Sequence, residues 1–466
     1  MSKVSLDASQ NALGIETFQA LRAEEEPWLD SCFVPPHEYG RLSSPASILV
    51  FGADGTGKSA LYNMLRKDSA IDEGKGNRLI VDWRPDPLSE DKPLNVGAVQ
   101  SLAWQVVDAV LLAMLRYLGD DPERYYGSPN WAQERIKWAI RKTWKEAASL
   151  RVEPVADEFP SDGADLLRKL LVGETQEILH SPSPDAMIDE LVKANKHFGL
   201  SGIWVMCDGL GGWAEVGSER LGETLKVFLS ALVLFENKGI SFKFFLPGFL
   251  KGNVTRASST LRRRIETYDI HWSPDELRQI VENRLSFAMG RKGVRLKDLC
   301  GTAPLAEWLE RVGGDSPRDW LDQTSPLVKR YLSQSPRRPI DVKTWQALLI
   351  EHPPRFWMDE VGRRVRVGGR EVPLNDIPPK AYEMLKYLYQ NSGEIVGKDQ
   401  LYYLVYLGMD RIPRSKEDDQ RYLAPMDYAG IIDTSIYRLR KAIEPNPDDP
   451  ILIQTVRGYG LKLVSR

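Results

Sequence analysis

The sequence predicts an α/β fold, a parallel sheet with helices between its strands, followed by a smaller α+β module. Three observations point there. Five short apolar runs, 46–51, 78–83, 203–208, 241–246 and 268–272, have the length and continuous hydrophobicity of strands buried on both faces. The first of them leads directly into a glycine-rich loop and then a helical stretch. Beyond about residue 355 the texture changes to short alternating segments such as Arg364-Val365-Arg366-Val367, glycine turns, helices and a terminal hairpin.

Size and composition agree with that division. A chain of 466 residues exceeds one ordinary core, and a typical domain of roughly 150 residues gives about three units. Hydrophobic residues at 42% and charged residues at 27% are globular values, which exclude a disordered, collagen-like or membrane-embedded chain. Lys and Arg total 62 against 65 Asp and Glu, so contact with a polyanion has to be local. Cys32, Cys207 and Cys300 form no CxxC or Cys/His pair and read as buried reduced thiols. The five histidines are scattered, and none is assigned to catalysis. The N-terminus shows no basic segment followed by an apolar core, and Asp108 breaks the best apolar stretch, 106–115. The expectation is a cytoplasmic location with no membrane partner.

Along the chain, residues 1–45 are a lead-in with a helical stretch at 15–26 and the Pro35-Pro36 break. The sheet-forming region spans 46–272. Helical periodicity at 96–118, 131–150 and 163–198 exceeds what a crossover between strands needs, and reads as a helical insertion at about 96–200. Residues 273–332 are helical again, opened by the cap Ser273-Pro274-Asp275-Glu276. Residues 333–355 have linker composition with one short helix.

The loop after the first strand reads Gly52-Ala53-Asp54-Gly55-Thr56-Gly57-Lys58-Ser59. In a strand–loop–helix context, glycines let successive amides turn inward around phosphate oxygens. Lys58 then reaches the terminal phosphates, and the Ser59 hydroxyl is placed for Mg2+. Gly52, Gly55, Thr56, Gly57, Lys58 and Ser59 are therefore the candidate nucleotide-binding residues. The strand ending in Cys207-Asp208 supplies the carboxylate such a loop needs for its metal, although a strand-terminal Asp also commonly caps a turn. The following Gly209-Leu210-Gly211-Gly212 holds no second acid to orient an attacking water; Glu215 is the nearest. Hydrolysis is expected to be slow or partner-dependent. Arg262, Arg263 and Arg264 fit either an arginine finger for a neighbouring subunit or a solvated charge run.

Residues 1–332 resemble P-loop ATPases of the AAA+ and STAND group, the latter being signal-transducing ATPases that switch on nucleotide binding. The strand carrying Asp208 resembles a Walker B strand. Gly313-Gly314-Asp315-Ser316-Pro317-Arg318 resembles the sensor-2 motif of AAA+ and origin-recognition-type ATPases, which implies ATP and Mg2+ as cofactors and Arg318 as γ-phosphate sensor on a helical lid, 273–332. The same residues also fit a helix cap with a solvated arginine. One departure is Pro247-Gly248, where that family places a polar sensor-1 residue.

In the C-terminal region, Ile432, Ile436, Leu439 and Ile443 form one apolar stripe at helical spacing. Thr434, Tyr437, Arg438 and Lys441 fall opposite, with Arg440 at the flank. A helix exit at Glu444-Pro445 precedes a hairpin built of 451–456, the turn Arg457-Gly458-Tyr459-Gly460 and 461–464. Residues 356–466 resemble the winged helix-turn-helix of OmpR/PhoB-type response regulators in the order of these pieces. Segments 369–374, 382–389, 392–396 and 398–401 match the leading sheet and first two helices. The resemblance implies double-stranded DNA as partner, with Arg438 and Lys441 in the major groove and Arg457 near the minor groove. Two departures oppose it: a long loop, 407–430, with the acidic run Glu417-Asp418-Asp419, and a balance of 17 basic against 16 acidic residues over 356–466.

The expectation is thus a P-loop NTPase sheet with helical insertion and lid, followed by a winged helix-turn-helix. Its function is an ATP-binding switch controlling transcription through the winged helix. The alternative is an oligomerising STAND-type signalling ATPase, for instance in defence against invading genetic elements. In that case the winged helix touches protein or is structural, and the insertion offers a surface for a protein partner.

Overall fold

The computed structural model describes residues 18, 23, 26–71, 77–86, 96–173, 175–210, 218–255, 265–301, 304–359 and 363–464. The chain divides into two compact units, one spanning 35–271 and one made of 272–466 with the described residues before 35. The helical stretch expected at 15–26, and Gly211, Gly212, Glu215, Arg262, Arg263 and Arg264, lie largely or wholly outside the described residues.

In the first unit, strands β1 (Ile48–Gly52), β2 (Arg78–Asp82), β3 (Gly202–Cys207), β4 (Ile240–Pro247) and β5 (Glu266–Asp269) form one parallel sheet in the order β2-β3-β4-β1-β5. The three inner strands are buried almost throughout, while the edge strand β2 alternates buried and more exposed residues. This is the expected result of covering both faces at the centre and fewer at the margin. The fifth strand begins two residues earlier than its apolar run and ends at Asp269; Ile270 continues the pairing through one bond to the Phe51 carbonyl, 2.8 Å. The sheet is that of a P-loop NTPase-like α/β fold.

Helix α1 (Lys58–Ile71) follows β1, and the insertion adds α2 (Val96–Asp120), α3 (Asn130–Trp144), α4 (Ala148–Ala156), α5 (Ser161–Lys169) and α6 (Pro184–Asn195). The periodic run at 163–198 is two helices, not one. Gly173 at φ +89° and the prolines 182 and 184 break it. Among the described residues one helix, Gly97–Asp120, is long and apolar enough to cross a membrane. Its Leu102, Val106, Val107, Val110, Leu111 and Leu115 are fully buried in the protein's own core. The acid inside it is satisfied: Asp108 accepts from Trp144 Nε1 at 2.6 Å and faces Arg151 at 3.4 Å. All three cysteines are buried free thiols, and burial pushes Cys32 to about 11 and Cys300 to about 12, which leaves both unreactive.

In the second unit, α7 (Pro274–Ala288) starts with a complete capping box between Ser273 and Glu276. Helices α8 (Leu305–Gly313), α9 (Pro317–Leu332) and α10 (Val342–Glu351) follow. Trp345 of α10 sets its ring edge-on to Trp308 of α8, centroids 6.0 Å apart, so the stretch 333–355 packs on the helices before it. Arg284 of α7 forms a buried bidentate pair with Glu26, at 3.0 and 2.6 Å.

Then come three antiparallel strands, β6 (Phe356–Asp359), β7 (Arg364–Val367) and β8 (Arg370–Val372), helix α11 (Pro379–Gln390) and a short turn Lys398–Gln400. Residues Leu401–Tyr406 continue that turn as a wide π-type coil. Helix α12 (Pro425–Ile443) and the hairpin β9 (Ile453–Val456) and β10 (Gly460–Leu463) close the chain. Pro425 sits in the first turn of α12, where its missing N–H costs nothing, so the preceding loop ends at 424 and not at 430. An antiparallel bridge between Val396 and Leu461 ties the hairpin to the segment before the second helix.

One buried cation predicts a pH dependence. Lys243 on β4 donates to the carbonyls of Ser44 and Ala46, 2.7 Å each, with the Trp204 ring 5.0 Å away. Burial, and then the charge of Arg78, pull its pKa down from 10.5 to about 7. Between those values the unfolded chain binds more protons than the folded one, so stability rises with pH across that window. Unfolding midpoints measured from about pH 7 to pH 10 should rise more for the wild type than for Lys243→Met; parallel curves would refute this.

Candidate nucleotide site and candidate nucleic-acid interface

The loop from Gly52 to Lys58 leaves the carboxyl end of β1, the edge of a parallel sheet where ligands of such folds gather. Gly55 and Gly57 hold φ of +82° and +89°, left-handed conformations separated by one residue. That alternation turns backbone amides toward one side and makes an anion-sized nest. Thr56 is buried, and its hydroxyl donates to the Ala53 carbonyl at 2.9 Å. A Cβ at Gly52 would lie 2.3 Å from that hydroxyl oxygen, so only glycine leaves the loop its shape. The Lys58 ammonium folds over the loop and donates to the carbonyls of Gly52 at 3.0 Å and Ala53 at 2.8 Å. Ser59 follows on the first turn of α1, half-buried.

Asp208 stands one residue past β3 and is 8% exposed. Strand β4 separates β3 from β1, and its end, Pro247-Gly248, lies against the loop: a Cβ at Gly248 would meet the backbone of Gly52 and Ala53 at 3.5–3.6 Å. Strand β4 therefore brings no polar side chain there. Further along the same edge, Tyr62 of α1 donates to Asp82, and Arg66 pairs with Asp82 at 3.4 Å. Burial first, then Asp82, push the Tyr62 phenol well above its ordinary value, and the Asp208 charge adds to the shift. Arg84, two residues beyond β2, approaches the backbone after Asp208: its Nη2 is 2.9 Å from where a Cβ of Gly209 would stand, and Gly209 has φ +76°. Tyr62, Asp82 and Arg84 were not singled out from the sequence. The available signal was position, since Tyr62 lies in the first helix, Asp82 ends β2 and Arg84 follows it.

The fit to a nucleotide rests on this geometry. The left-handed Gly55 and Gly57 turn loop amides to one side, and a Cβ at Gly52 would displace the Thr56 hydroxyl that holds the loop's shape. A hydroxyl from Ser59 and a carboxylate from Asp208 are the hard oxygen donors that Mg2+ prefers. Lys58, Ser59 and Asp208 all belong to the first unit. Arg318 belongs to the second, at the start of α9, where the Ser316 hydroxyl accepts from the Asp319 amide at 3.3 Å.

On the winged-helix side, α12 buries Tyr428, Ile432, Ile436, Leu439 and Ile443 and exposes Thr434, Tyr437, Arg438 and Lys441. Arg457, in the turn between β9 and β10, is exposed as well. Among the described residues, Arg438, Lys441 and Arg457 have no hydrogen-bond or ion-pair partner, so their charges face solvent. Thr434 differs, since its hydroxyl donates back to the Gly430 carbonyl at 2.8 Å. Arg440 is taken up structurally: its guanidinium donates to the Ile453 carbonyl at 2.7 Å and to Thr455 Oγ1 at 2.8 Å, fastening helix to hairpin.

Two of the three acids of the run 417–419 are paired within their own loop. Asp418 pairs with Arg411 at 2.6 Å, and Arg421 pairs with Asp419 at 2.9 Å. The hydrogen bonds from Arg421 hold Asp419 down at about 2.

Comparison with known proteins adds the following. No family model matches the chain. It is 33% identical over 108 residues to the sensory transduction protein RegX3 of Mycobacterium leprae, which is 23% of this chain and 46% of the relative. It is 33% identical over 91 residues, 19% of the chain and 30% of the relative, to the alkaline phosphatase synthesis transcriptional regulatory protein PhoP of Bacillus subtilis. The chain thus resembles response regulators of the OmpR/PhoB type over about a quarter of its length, and spans less than half of the curated relatives it matches. Among solved structures, the Aeropyrum pernix ORC1 protein in complex with DNA aligns over 94% of this chain and 93% of its own. Identity is 13% and the TM-score 0.32, too loose to bear on the assignment.

The hairpin is held by one carboxylate. Glu444 is buried at the end of α12 and accepts from the amides of Ile451, Leu452 and Ile453 at 2.6–3.1 Å; burial pushes its pKa up against those donors. Glu444→Ala should destabilise the second unit by about 3 kcal/mol, the cost of orphaned buried amides. A denaturant midpoint equal to that of the wild type would contradict this.

Proposed function

We propose that the chain is a cytoplasmic ATP-binding switch that controls a DNA-binding winged helix and acts in transcriptional regulation. The observation that carries the proposal is one chain holding both an amide-lined phosphate cradle, Gly52 to Ser59, and a helix with unpaired cations on its solvent face. In this reading the loop amides and Lys58 bind the phosphates of ATP, Ser59 and Asp208 hold Mg2+, and Arg318 on the lid reads the γ-phosphate. Bound Mg2+ would neutralise phosphate charge. The chain's own residues do the rest: Lys58 exchanges its two carbonyl partners for phosphate oxygens, and the amides at Gly55 to Lys58 orient them.

At the other end, Arg438 and Lys441 enter the major groove of double-stranded DNA with Thr434 and Tyr437 beside them, and Arg457 approaches the adjoining minor groove. The length of the match to response regulators, 108 residues, is close to that of residues 356–466 and supports this use of the module. A second reading, favoured by the near balance of charge over 356–466, is an oligomerising STAND-type ATPase whose winged helix contacts protein, with a further protein partner on the helical insertion.

Duplex binding at several salt concentrations separates the two. Wild type should bind with a steep salt dependence. Arg438→Ala/Lys441→Ala should bind more weakly and with a shallower slope, because two cations that displace counterions from the duplex are lost. Absence of binding in every nucleotide state would remove the DNA reading and leave the protein-contact one.

A further inference from the structure

The sensor-2-like segment and the recognition helix belong to the same compact unit and are joined by backbone rather than by a flexible linker. The turn Gly368-Gly369, between β7 and β8, is seated on the end of α8. The Gly369 amide donates to the Val312 carbonyl at 2.9 Å, and the Gly368 amide donates to the Arg355 carbonyl at 2.7 Å. There is no room for any side chain. A Cβ at Gly368 would be 2.2 Å from the Val312 carbonyl oxygen, one at Gly369 1.9 Å from that of Gly313, and one at Gly314 2.5 Å from that of Gly369. Contacts of this kind transmit a displacement because neither side can yield.

The seat is fixed from the α9 side as well. Trp320 donates its indole N–H to the Gly314 carbonyl at 3.1 Å, and a Cβ at Gly313 would lie 2.1 Å from the same ring. The Asp319 carboxylate reaches to 3.1 Å from the Gly369 Cβ position, and Asp322 faces Arg355 at 3.7 Å. The residue after the turn completes the path: Arg370 donates from Nη2 to the Ala442 carbonyl at 3.1 Å, in the last turn of α12. Arg370 is half-buried, and its Nε is buried without a hydrogen-bond partner, so the bond to Ala442 restrains that charge.

We infer that the turn Gly368-Gly369 and Arg370 form a relay that carries a change at the Gly313-to-Arg318 segment to the carboxyl end of the recognition helix, with Arg370 as its positioning residue. The inference rests on the proposed function, because it supplies the route by which bound nucleotide changes DNA affinity. Movement of α9 drags the Val312–Gly314 seat, the seat drags the glycine turn, and Arg370 shifts the helix end that carries Arg438 and Lys441.

The test compares duplex affinity with and without Mg-ATP for full-length wild type, Gly369→Ala and Arg370→Met, with ATP affinity and thermal melts alongside. Gly369 does not occupy the left-handed region, so alanine there costs little in its own backbone and acts by colliding with the Gly313 carbonyl. Wild type should show a nucleotide effect of about fivefold or more. In both variants that effect should fall toward one, with ATP affinity unchanged. If Gly369→Ala loses its cooperative melt, Arg370→Met decides. Variants that fold and keep the wild-type nucleotide effect overturn the relay. Equal loss of DNA binding with and without ATP makes Arg370 structural only, and overturns it too. A wild type that binds DNA identically in both conditions sinks the switch reading itself, and the relay with it.

Discussion

The candidate nucleotide site depends on one constraint: a loop of seven residues must present its amides while keeping side chains out of the space they enclose. Gly55 and Gly57 satisfy it with positive φ, and Gly52 has no Cβ to collide with the Thr56 hydroxyl bonded to Ala53. The parallel sheet exists to hold both ends of that loop. Strand β1 is buried on both sides between β4 and β5, so Gly52 is fixed, and α1 packs Tyr62 edge-on to Phe245 of β4, ring centroids 5.8 Å apart, so Lys58 and Ser59 are fixed as well. Lys58 closes the loop with its own ammonium, a cation already stationed where phosphate charge would arrive.

The same logic of bare backbone recurs far along the chain with a different purpose. At Gly313-Gly314 and Gly368-Gly369 the absent Cβ atoms allow two backbones to touch, and rigid contact replaces an open cradle. Glycine is thus informative in this protein at two kinds of place, and only three-dimensional neighbours tell them apart.

Much of this was legible in the residue order. Continuous apolar runs revealed the sheet, because strands covered on both faces cannot alternate, and the strand–glycine–lysine–serine sequence located the loop. The stripe Ile432, Ile436, Leu439, Ile443 predicted which face of α12 is buried, since helical period alone decides it. What the sequence hid were features set by distant partners. Arg440 looks like a flank residue of the exposed face of α12 until β9 is seen to accept its bonds. Arg84 and Tyr62 join the sheet edge only through strand order. The acidic run at 417–419 suggested repulsion from DNA, but Arg411 and Arg421 cancel two of its charges locally. Composition sums miss such pairing. Among the described residues, a nearly neutral module therefore still presents Arg438, Lys441 and Arg457 without partners on one helix and its neighbouring hairpin turn.

The central claim is that the Gly52-to-Ser59 loop binds nucleotide through its amides, Lys58 and a metal held by Ser59 and Asp208. Calorimetric titration of ATP into the full chain, with and without Mg2+ and alongside Lys58→Ala, measures it directly. Saturable binding that Mg2+ tightens, and that Lys58→Ala abolishes, is the result expected. Binding of equal affinity in Lys58→Ala, or none in the wild type at millimolar ATP, would contradict it.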